Sequence, residues 1–371
     1  MKKTILTFLL LVIMPFSMLA YDVYVGKIYY NVDESTGTAE VTFKSDSYNS
    51  YTGKVVIPAT FYDPDSHVTY TVTSIGDNAF RSCSNLTSVT IPEGVTRIGE
   101  WAFYNCTGLT SIIVDDGNSS YISEEGVLFD KDMKSLLCFP AGKTQSEYTI
   151  PESVTYIYPH AFERCSSLIS VTISDNVTII GKFAFRASGL TSITIPNSVT
   201  TIGEKVFLDC TSLTSVTIPT SVTTIGWGAF ANCSGLTSVT IPSNVTTIGG
   251  EAFSGCSNLT SVTVEMETPL TITENTFTNR ANATLYVPAG CKTAYEAAQY
   301  WQDFNIVEMA SVAPGDVNGD GDIDINDVMA LVSHICGQTP TQFDYTAADA
   351  NGDGEIDIND VMRVVDTIVN Q

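Results

Sequence analysis

A dipeptide recurs along the chain at an almost constant interval, and this regularity restricts the fold more than any other feature. The dipeptide is Ala-Phe, or Val-Phe in one copy, and its intervals are 23, 59, 23, 22, 23 and 23 residues. Its phenylalanines are Phe80, Phe103, Phe162, Phe185, Phe207, Phe230 and Phe253. A period of this length is typical of a solenoid, in which each coil of the chain stacks on the previous one.

One complete repeat occupies residues 236–256. It places Leu236, Val239 and Ile241 at positions i, i+3 and i+5, with Thr and Ser between them. This spacing predicts a short strand with alternate side chains pointing inward, and Pro242 ends it because proline cannot donate to a strand ladder. A single coil cannot bury enough apolar surface alone, so the coils must stack. We therefore expect a mainly β solenoid.

Six cysteines each follow a repeat phenylalanine by three residues and should form a column inside the solenoid. They are Cys83, Cys106, Cys165, Cys210, Cys233 and Cys256. Neighbouring coils should lie about 5 Å apart, which does not exclude disulfides. Cysteine also packs as a small apolar residue. The pattern favours reduced core thiols, and disulfides and metal ligation are the alternatives.

The segments that flank or interrupt the repeats have their own patterns. Residues 21–73 are rich in Tyr and Thr and predict a β cap at the N-terminal end. Within the interval of 59 residues, apolar pieces at 126–129 and 135–139 predict extra strand on one coil. Residues 284–288 predict a last strand, and residues 292–304 have helical patterning, with Trp301 expected in the core.

Two strings carry a family resemblance, Leu-Thr-Ser-Val-Thr-Ile-Pro and Ile-Gly-x-x-Ala-Phe-x-x-Cys. They make residues 74–308 resemble the BspA-like leucine-rich repeats of bacterial surface proteins. The resemblance implies a surface or secreted protein that acts in adhesion to host or matrix proteins or to other bacteria, with no catalysis by the repeats. It implies no particular ligand, because the binding residues vary among members.

Negative charge is concentrated at one end of the chain. The net charge is −24, and residues 314–371 contribute 12 Asp and Glu against one Arg. Nucleic-acid binding requires Lys and Arg to contact phosphates, so this balance argues against it. An acidic cluster of this kind is suited to cations.

The acidic end contains two copies of a loop with the ligand spacing of an EF-hand. The first copy supplies Asp316, Asn318, Asp320, Asp322, Asp324 and Asp327. The second supplies Asp349, Asn351, Asp353, Glu355, Asp357 and Asp360, and the copies match at 12 of 14 positions. Glycine at the sixth position, Gly321 in the first loop, permits the sharp turn around the ion. The sequence predicts two bound Ca²⁺ ions.

Each loop should continue into a helix whose apolar face packs on the other helix. These faces are Val328, Leu331, Val332 and Ile335, and Val361, Val364, Val365 and Ile368. Residues 310–315 cannot form a full entering helix, because they include Pro314 and Gly315. Each unit is therefore predicted to be a loop with an exiting helix.

Two such half-hands make residues 315–371 resemble a type I-like dockerin, the small all-α domain that binds cohesin domains of cellulosome-type scaffolds. The resemblance implies a cohesin partner, with loop positions 10 and 11 selecting it and two binding orientations related by a half-turn. These positions are Ile325, Asn326, Ile358 and Asn359. They differ from the Ser-Thr pair of some dockerins, and packing within the loop is the alternative role for the isoleucines.

The N-terminal residues have the proportions of a signal peptide. Lys2 and Lys3 precede an apolar run from Ile5 to Met14, and Ala20 is the predicted cleavage position. No segment approaches the ~20 apolar residues that a membrane-spanning helix needs. We therefore expect residues 1–20 to be removed from a secreted protein, with residues 309–314 as a linker between solenoid and dockerin.

The sequence predicts no enzyme. Its three histidines, His67, His160 and His334, have no metal-ligand or triad companion in sequence, and the common catalytic motifs are absent. The expected function is secreted binding and adhesion, with the solenoid recognising protein or glycan and the dockerin binding a cohesin-bearing scaffold. Two alternatives remain: the dockerin is only a calcium-stabilised terminal cap, or the chain is an accessory protein or enzyme of a polysaccharide-degrading complex.

Overall fold

The computed structural model describes residues 21–44, 48–309 and 313–370. The predicted signal peptide lies outside these residues, and so do positions 310–312 of the predicted linker. Among the helices of the described part, none has the length and apolar character to cross a membrane.

The N-terminal segment folds into strands, as its composition predicts. The strands are β1 (Val23–Val25), β2 (Ile28–Asp33), β3 (Thr38–Thr42), β4 (Gly53–Val56), β5 (Thr60–Asp63) and β6 (Val68–Ile75). Strands β1, β2 and β3 form an antiparallel meander, and β3 then pairs in parallel with β6. The turn between β1 and β2 is Gly26-Lys27, and both residues have positive φ, as the two-residue hairpin turn requires.

The first coils and the interruption of the repeat follow. Their strands are β7 (Leu86–Ile91), β8 (Arg97–Ile98), β9 (Ser111–Val114), β10 (Tyr121–Glu124), β11 (Val127–Asp130), β12 (Ser135–Cys138), β13 (Glu147–Thr149), β14 (Tyr156–Ile157), β15 (Ser170–Thr172) and β16 (Ile179–Ile180). The remaining coils contain β17 (Ser192–Thr194), β18 (Thr201–Ile202), β19 (Ser215–Thr217), β20 (Thr224–Ile225), β21 (Ser238–Ile241), β22 (Thr247–Ile248), β23 (Ser261–Val264), β24 (Thr284–Val287) and β25 (Asn305–Glu308).

Each regular coil contributes one strand to each of two faces of the solenoid, and the strands of each face pair in parallel. This arrangement confirms the predicted solenoid. On one face β21, β23, β24 and β25 pair in register, so that Ser238 lies beside Ser261. On the other face β18, β20 and β22 pair, with Ile225 beside Ile248. Val239 and Ile241 point inward while Thr240 is exposed, as their alternation predicts. Only glycine fits at position 249, because a Cβ on Gly249 would lie 2.5 Å from the Trp227 backbone nitrogen.

The repeat phenylalanines form a stacked ladder through the core. Ring centroids are 5.4 Å apart between Phe185 and Phe207, 5.2 Å between Phe207 and Phe230, and 5.3 Å between Phe230 and Phe253. The rings are within 10° of parallel. Phe277 extends the ladder by one ring, although it follows Thr rather than Ala.

The six cysteines of the predicted column are buried and carry free thiols. Most of these thiols donate to the carbonyl of a ladder phenylalanine in the preceding coil, as Cys233 Sγ does to Phe207 O at 3.1 Å and Cys256 Sγ to Phe230 O at 3.2 Å. Burial raises the pKa of the Cys256 thiol to about 12. The Cys256 thiol is therefore a protonated donor at neutral pH.

The 59-residue interval contains an antiparallel β10–β11–β12 unit, and β12 rejoins the parallel face through β14. This unit divides the apolar core. Val127 and Phe129 belong to the core that runs toward the C-terminal coils, whereas Leu128 packs into the N-terminal core. The predicted extra strand is therefore present, and it separates two stacks of coils.

The C-terminal cap contains less helix than the sequence predicts. Helix α1 (Lys292–Ala297) ends early because Ala298 is extended and Tyr300 has a φ of 67°. This turn brings Trp301 into the core, where Nε1 donates to Leu270 O at 2.7 Å. Trp301 is fully buried, which confirms its predicted core role.

The last part of the chain has a separate small core. It contains α2 (Ile325–Ile335), α3 (Tyr345–Ala348) and α4 (Ile358–Val369). Leu331, Val361 and Val364 are buried between α2 and α4. Helix α3 is an entering helix of four residues before the second loop, which the sequence prediction missed.

Candidate functional site

The two acidic loops have almost the same conformation. In each loop, two glycines with positive φ allow the tight turn, Gly319 and Gly321 in the first and Gly352 and Gly354 in the second. The loops end on Asp327 and Asp360, which are fully buried. The shared geometry follows from the near-identical sequences.

Side-chain oxygens of the first loop are turned inward by backbone hydrogen bonds. Asp316 Oδ2 accepts from Gly321 N at 3.0 Å, and Asp320 Oδ1 accepts from Asp322 N at 3.0 Å. Asp327 accepts from Asn318 N through Oδ1 at 3.0 Å and from Asp324 N through Oδ2 at 2.8 Å. The backbone N–H groups of the loop therefore surround its own carboxylates.

The second loop repeats these bonds. Asp349 Oδ2 accepts from Gly354 N at 2.9 Å, and Asp353 Oδ1 accepts from Glu355 N at 3.0 Å. Asp360 Oδ1 accepts from Asn351 N at 3.1 Å, and its Oδ2 accepts from the backbone nitrogen of Asp357 at 2.9 Å.

The donor set is suited to calcium. Within residues 313–370 no three Asp, Glu, His or Cys side chains are already arranged as a metal cage. However, Asp316 Oδ1 is buried with no hydrogen-bond partner, and a buried carboxylate oxygen is costly unless something satisfies it. The candidate ligands are carboxylate, amide and carbonyl oxygens, which Ca²⁺ prefers. Asp316 and its equivalents would hold the ion, which would neutralise the charge of the loop.

Asp324 and Asp357 link each loop to its helix. Each is the N-cap residue, and its side chain accepts from a backbone nitrogen at the start of α2 or α4. Asp327 and Asp360 complete the capping boxes by accepting from the N-cap backbone. Movement of either loop is therefore coupled directly to the start of a helix.

The predicted partner-selecting isoleucines are on the surface. Ile325 is 63% exposed and Ile358 is 61% exposed. The neighbouring amides are already engaged, since Asn326 Nδ2 donates to Asp324 Oδ2 at 3.0 Å and Asn359 Nδ2 to Asp357 Oδ2 at 3.1 Å.

The prediction that Val332 and Ile335 pack against the other helix was wrong. Both are exposed, and Ala330 is buried instead, because α2 is rotated so that Leu331 and Ala330 face the core. The rotation leaves an apolar stripe along α2, and α4 has a corresponding one. We call them the two apolar stripes: Ile325, Met329, Val332 and Ile335 on α2, and Ile358, Met362 and Val369 on α4.

Met329 and Met362 were missed by the sequence reasoning. They are 58% and 56% exposed, and each lies one helical turn after the isoleucine of its own loop. The string Ile-Asn-Asp-Val-Met in both halves was the available signal, because a large apolar residue repeated outside the core positions suggests contact with a partner.

His160 has partners that the sequence did not reveal. Its Nε2 accepts from the indole N–H of Trp101 at 3.1 Å, so its Nδ1 donates to Glu163 Oε2 at 2.6 Å. The Arg186 guanidinium donates to Glu163 Oε1 at 3.1 Å. Both imidazole nitrogens are therefore committed to neighbouring side chains.

Comparison with known families assigns both parts of the chain. The BspA type leucine rich repeat region matches in 6 copies, over residues 64–134, 137–260 and 228–308. The dockerin type I domain matches residues 314–368. Neither is an enzyme family, and dockerin type I domains bind calcium. No curated protein matches the chain.

The chain is similar to several solved structures. The pneumococcal vaccine antigen PcpA is 17% identical, with a TM-score of 0.53, over 79% of this chain and 99% of that chain. A leucine-rich cell surface protein of Faecalibacterium prausnitzii is 24% identical (TM-score 0.33; 80% and 96% covered). A leucine-rich repeat protein of Bacteroides ovatus is 23% identical (TM-score 0.30; 78% and 100% covered).

The repeat matches cover more than half of the 371 residues, and they coincide with the stacked coils. The chain therefore belongs to the family of proteins with BspA-type leucine-rich repeats, and it carries a dockerin type I domain.

Proposed function

We propose that this chain is a secreted, non-catalytic binding and adhesion protein. Its solenoid recognises a partner, and its dockerin, with one Ca²⁺ in each loop, binds a cohesin domain on a scaffold. The observation that carries the proposal is the pair of apolar stripes, which repeat Ile and Met at equivalent exposed positions of α2 and α4. Exposed apolar residues of this size on a small domain indicate a protein interface.

The duplication of the stripes favours two binding orientations. Ile325 and Met329 occupy the same places in the first half as Ile358 and Met362 in the second. A cohesin that binds one stripe in one orientation can bind the other after a half-turn. Loss of one stripe then removes only one of two equivalent modes.

This symmetry leads to a prediction for stripe variants of the full chain. We expect Ile325→Asp or Ile358→Asp alone to weaken binding to a type I cohesin only about twofold, the statistical factor for losing one of two equal sites. In the double variant the affinity for cohesin should fall about 30-fold or more, because a central apolar contact typically contributes at least 2 kcal/mol. Titration calorimetry in calcium with a panel of type I cohesins measures this.

Val56→Asp is the matched control, since Val56 is equally exposed but lies in the N-terminal strands. It should bind as the unmodified chain does. Absence of calcium-dependent binding to every cohesin of the panel would refute the docking proposal and favour the terminal-cap alternative.

A further inference from the structure

A cleft of about 320 Å³ opens in the solenoid where the phenylalanine ladder is interrupted. Phe103 stacks on Phe80 at 5.5 Å, and Phe139 stacks on Phe162 at 5.4 Å. Phe103 and Phe139 both line the cleft. Phe103 is half-buried, whereas Phe80 and Phe162 are fully buried. The β10–β12 unit thus leaves a space that no regular coil fills.

We propose that this cleft receives a long cationic side chain, Arg or Lys, from a partner polypeptide. The inference rests on the proposed role of the solenoid in recognising a partner, and it specifies where and by what chemistry. Four features support it: the aromatic walls, the fixed position of Trp101, the negative charge of the lining, and the apolar floor.

Aromatic rings form the walls. They are Trp101, Phe103, Tyr104, Tyr121, Phe139 and Tyr158. Trp101 is 44% exposed and Tyr158 is 45% exposed, so these two form the rim. A cation over an aromatic face is attracted by the ring quadrupole, most strongly over Trp. The same chemistry already operates beside the cleft, where the Arg81 guanidinium lies 5.6 Å from the Trp101 centroid and 5.1 Å from that of Tyr104.

Trp101, one of the two rim residues, is held in place before any partner arrives. Trp101 is tied to His160, His160 to Glu163, and Glu163 to Arg186, in a continuous chain of hydrogen bonds. His160 also stacks on Phe183 at 5.0 Å and 11°. A ring that is fixed in advance loses little conformational freedom on binding, which favours affinity.

The charge of the lining is negative. The lining residues, all of which the structure describes, include Glu100, Asp130 and Glu163 and contain no Lys or Arg. Arg186 neutralises Glu163 from outside the lining, whereas no ion pair of the described residues involves Glu100 or Asp130. Burial raises the pKa of the Cys138 thiol, another lining group, to about 12, so it stays neutral. The Arg81 guanidinium over Trp101 and Tyr104 adds one positive charge beside the lining, so the unpaired charges of Glu100 and Asp130 are the ones that complement a cation.

The floor is suited to the methylene stem of such a side chain. Leu109 and Leu128 are each 1% exposed and line the cleft together with Leu137. Arg and Lys side chains pack their methylenes along apolar surface while the charged group stays near polar partners. The volume is at the small end of ligand pockets, which fits one or two side chains.

Fluorescence anisotropy of a labelled hexa-arginine peptide tests the proposal on the full chain. Saturating calcium is present, so that the acidic dockerin loops are occupied. We expect Trp101→Ala to weaken peptide binding about 10-fold and Trp101→Phe to restore most of it. Trp227→Ala is the matched control, because Trp227 is an exposed tryptophan on a coil remote from the cleft; it should change affinity less than about twofold.

Charge is tested by a second pair of variants. The Glu100→Gln/Asp130→Asn variant should bind hexa-arginine about 10-fold more weakly. The control Glu34→Gln/Asp65→Asn has the same change in net charge at exposed N-terminal positions, and its affinity for the peptide should fall less than about twofold. A hexa-citrulline peptide should not bind. The proposal is overturned if citrulline binds as arginine does, or if the cleft variants bind hexa-arginine no more weakly than their controls.

Thermal melts of each variant show whether it is folded, and Trp101→Phe keeps the test informative if Trp101→Ala is not. Cohesin binding is measured separately on the same proteins. If a cleft variant loses peptide binding but still binds cohesin, the loss is due to the cleft alone. If the chain binds the peptide but no cohesin, only the docking proposal fails.

Discussion

Replacing Phe207 with Ala is expected to destabilise the solenoid by about 3–5 kcal/mol, the usual cost of removing a buried phenylalanine ring. Phe207 is fully buried and stacks on Phe185 and Phe230. Its removal leaves a cavity between two coils, and coils depend on their nearest neighbours for stability. Denaturant unfolding followed by tryptophan fluorescence measures the loss.

The matched control for this change is Phe103→Ala. Phe103 is half-buried and stacks on Phe80, at the edge of the cleft, so its removal leaves a space that solvent can enter. We expect a loss of about 1–2 kcal/mol. Equal losses at Phe103 and Phe207 would show that the stacked ladder does not hold the coils together.

Removing calcium is expected to unfold the dockerin while leaving the solenoid intact. The module has a small core, and it buries Asp316, Asp327 and Asp360. These carboxylates repel one another unless a cation neutralises them. At a calcium concentration 100 times the dissociation constant, each ion stabilises the fold by about 2.7 kcal/mol, and two ions are expected to decide whether so small a domain folds.

The chain itself provides separate readouts for the two parts. All three tryptophans, Trp101, Trp227 and Trp301, lie in the solenoid, whereas α2 and α4 are the long helices of the described residues. Chelation should remove the helical circular dichroism and leave the melt by tryptophan fluorescence unchanged.

The Asp360→Asn variant should require more calcium to fold, whereas Asp366→Asn, at an exposed position of the same helix, should not. A calcium-independent helical signal would contradict this account.

The repeated coils were predictable because the sequence of each coil contains the complete apolar pattern. The i, i+3, i+5 spacing of Leu236, Val239 and Ile241 determines which side chains point inward, and the regular interval places each coil in register with the next. The dockerin loops were predictable for a related reason, since the ligand spacing is local and occurs twice. Both predictions rest on short-range sequence information.

The features that sequence reasoning missed depend on contacts between distant residues. Helix α1 ends at Ala297 because burial of Trp301 requires a turn there. The rotation of α2 that exposes Val332 depends on packing against α4. The bond between Trp101 and His160 joins residues 59 positions apart across the interruption of the repeat, so the sequence showed a long interval but not the cleft.

We propose that calcium-loaded loops attach this solenoid to a cohesin-bearing partner. The most direct test of this proposal is capture of the full chain on a cohesin-coated sensor while free calcium is raised stepwise to about 1 mM, an extracellular concentration. We expect no capture in chelator, capture over the calcium range in which the helical signal forms, and release when chelator returns. Capture that is indifferent to calcium, or a folded calcium-loaded dockerin that no type I cohesin captures, would contradict it.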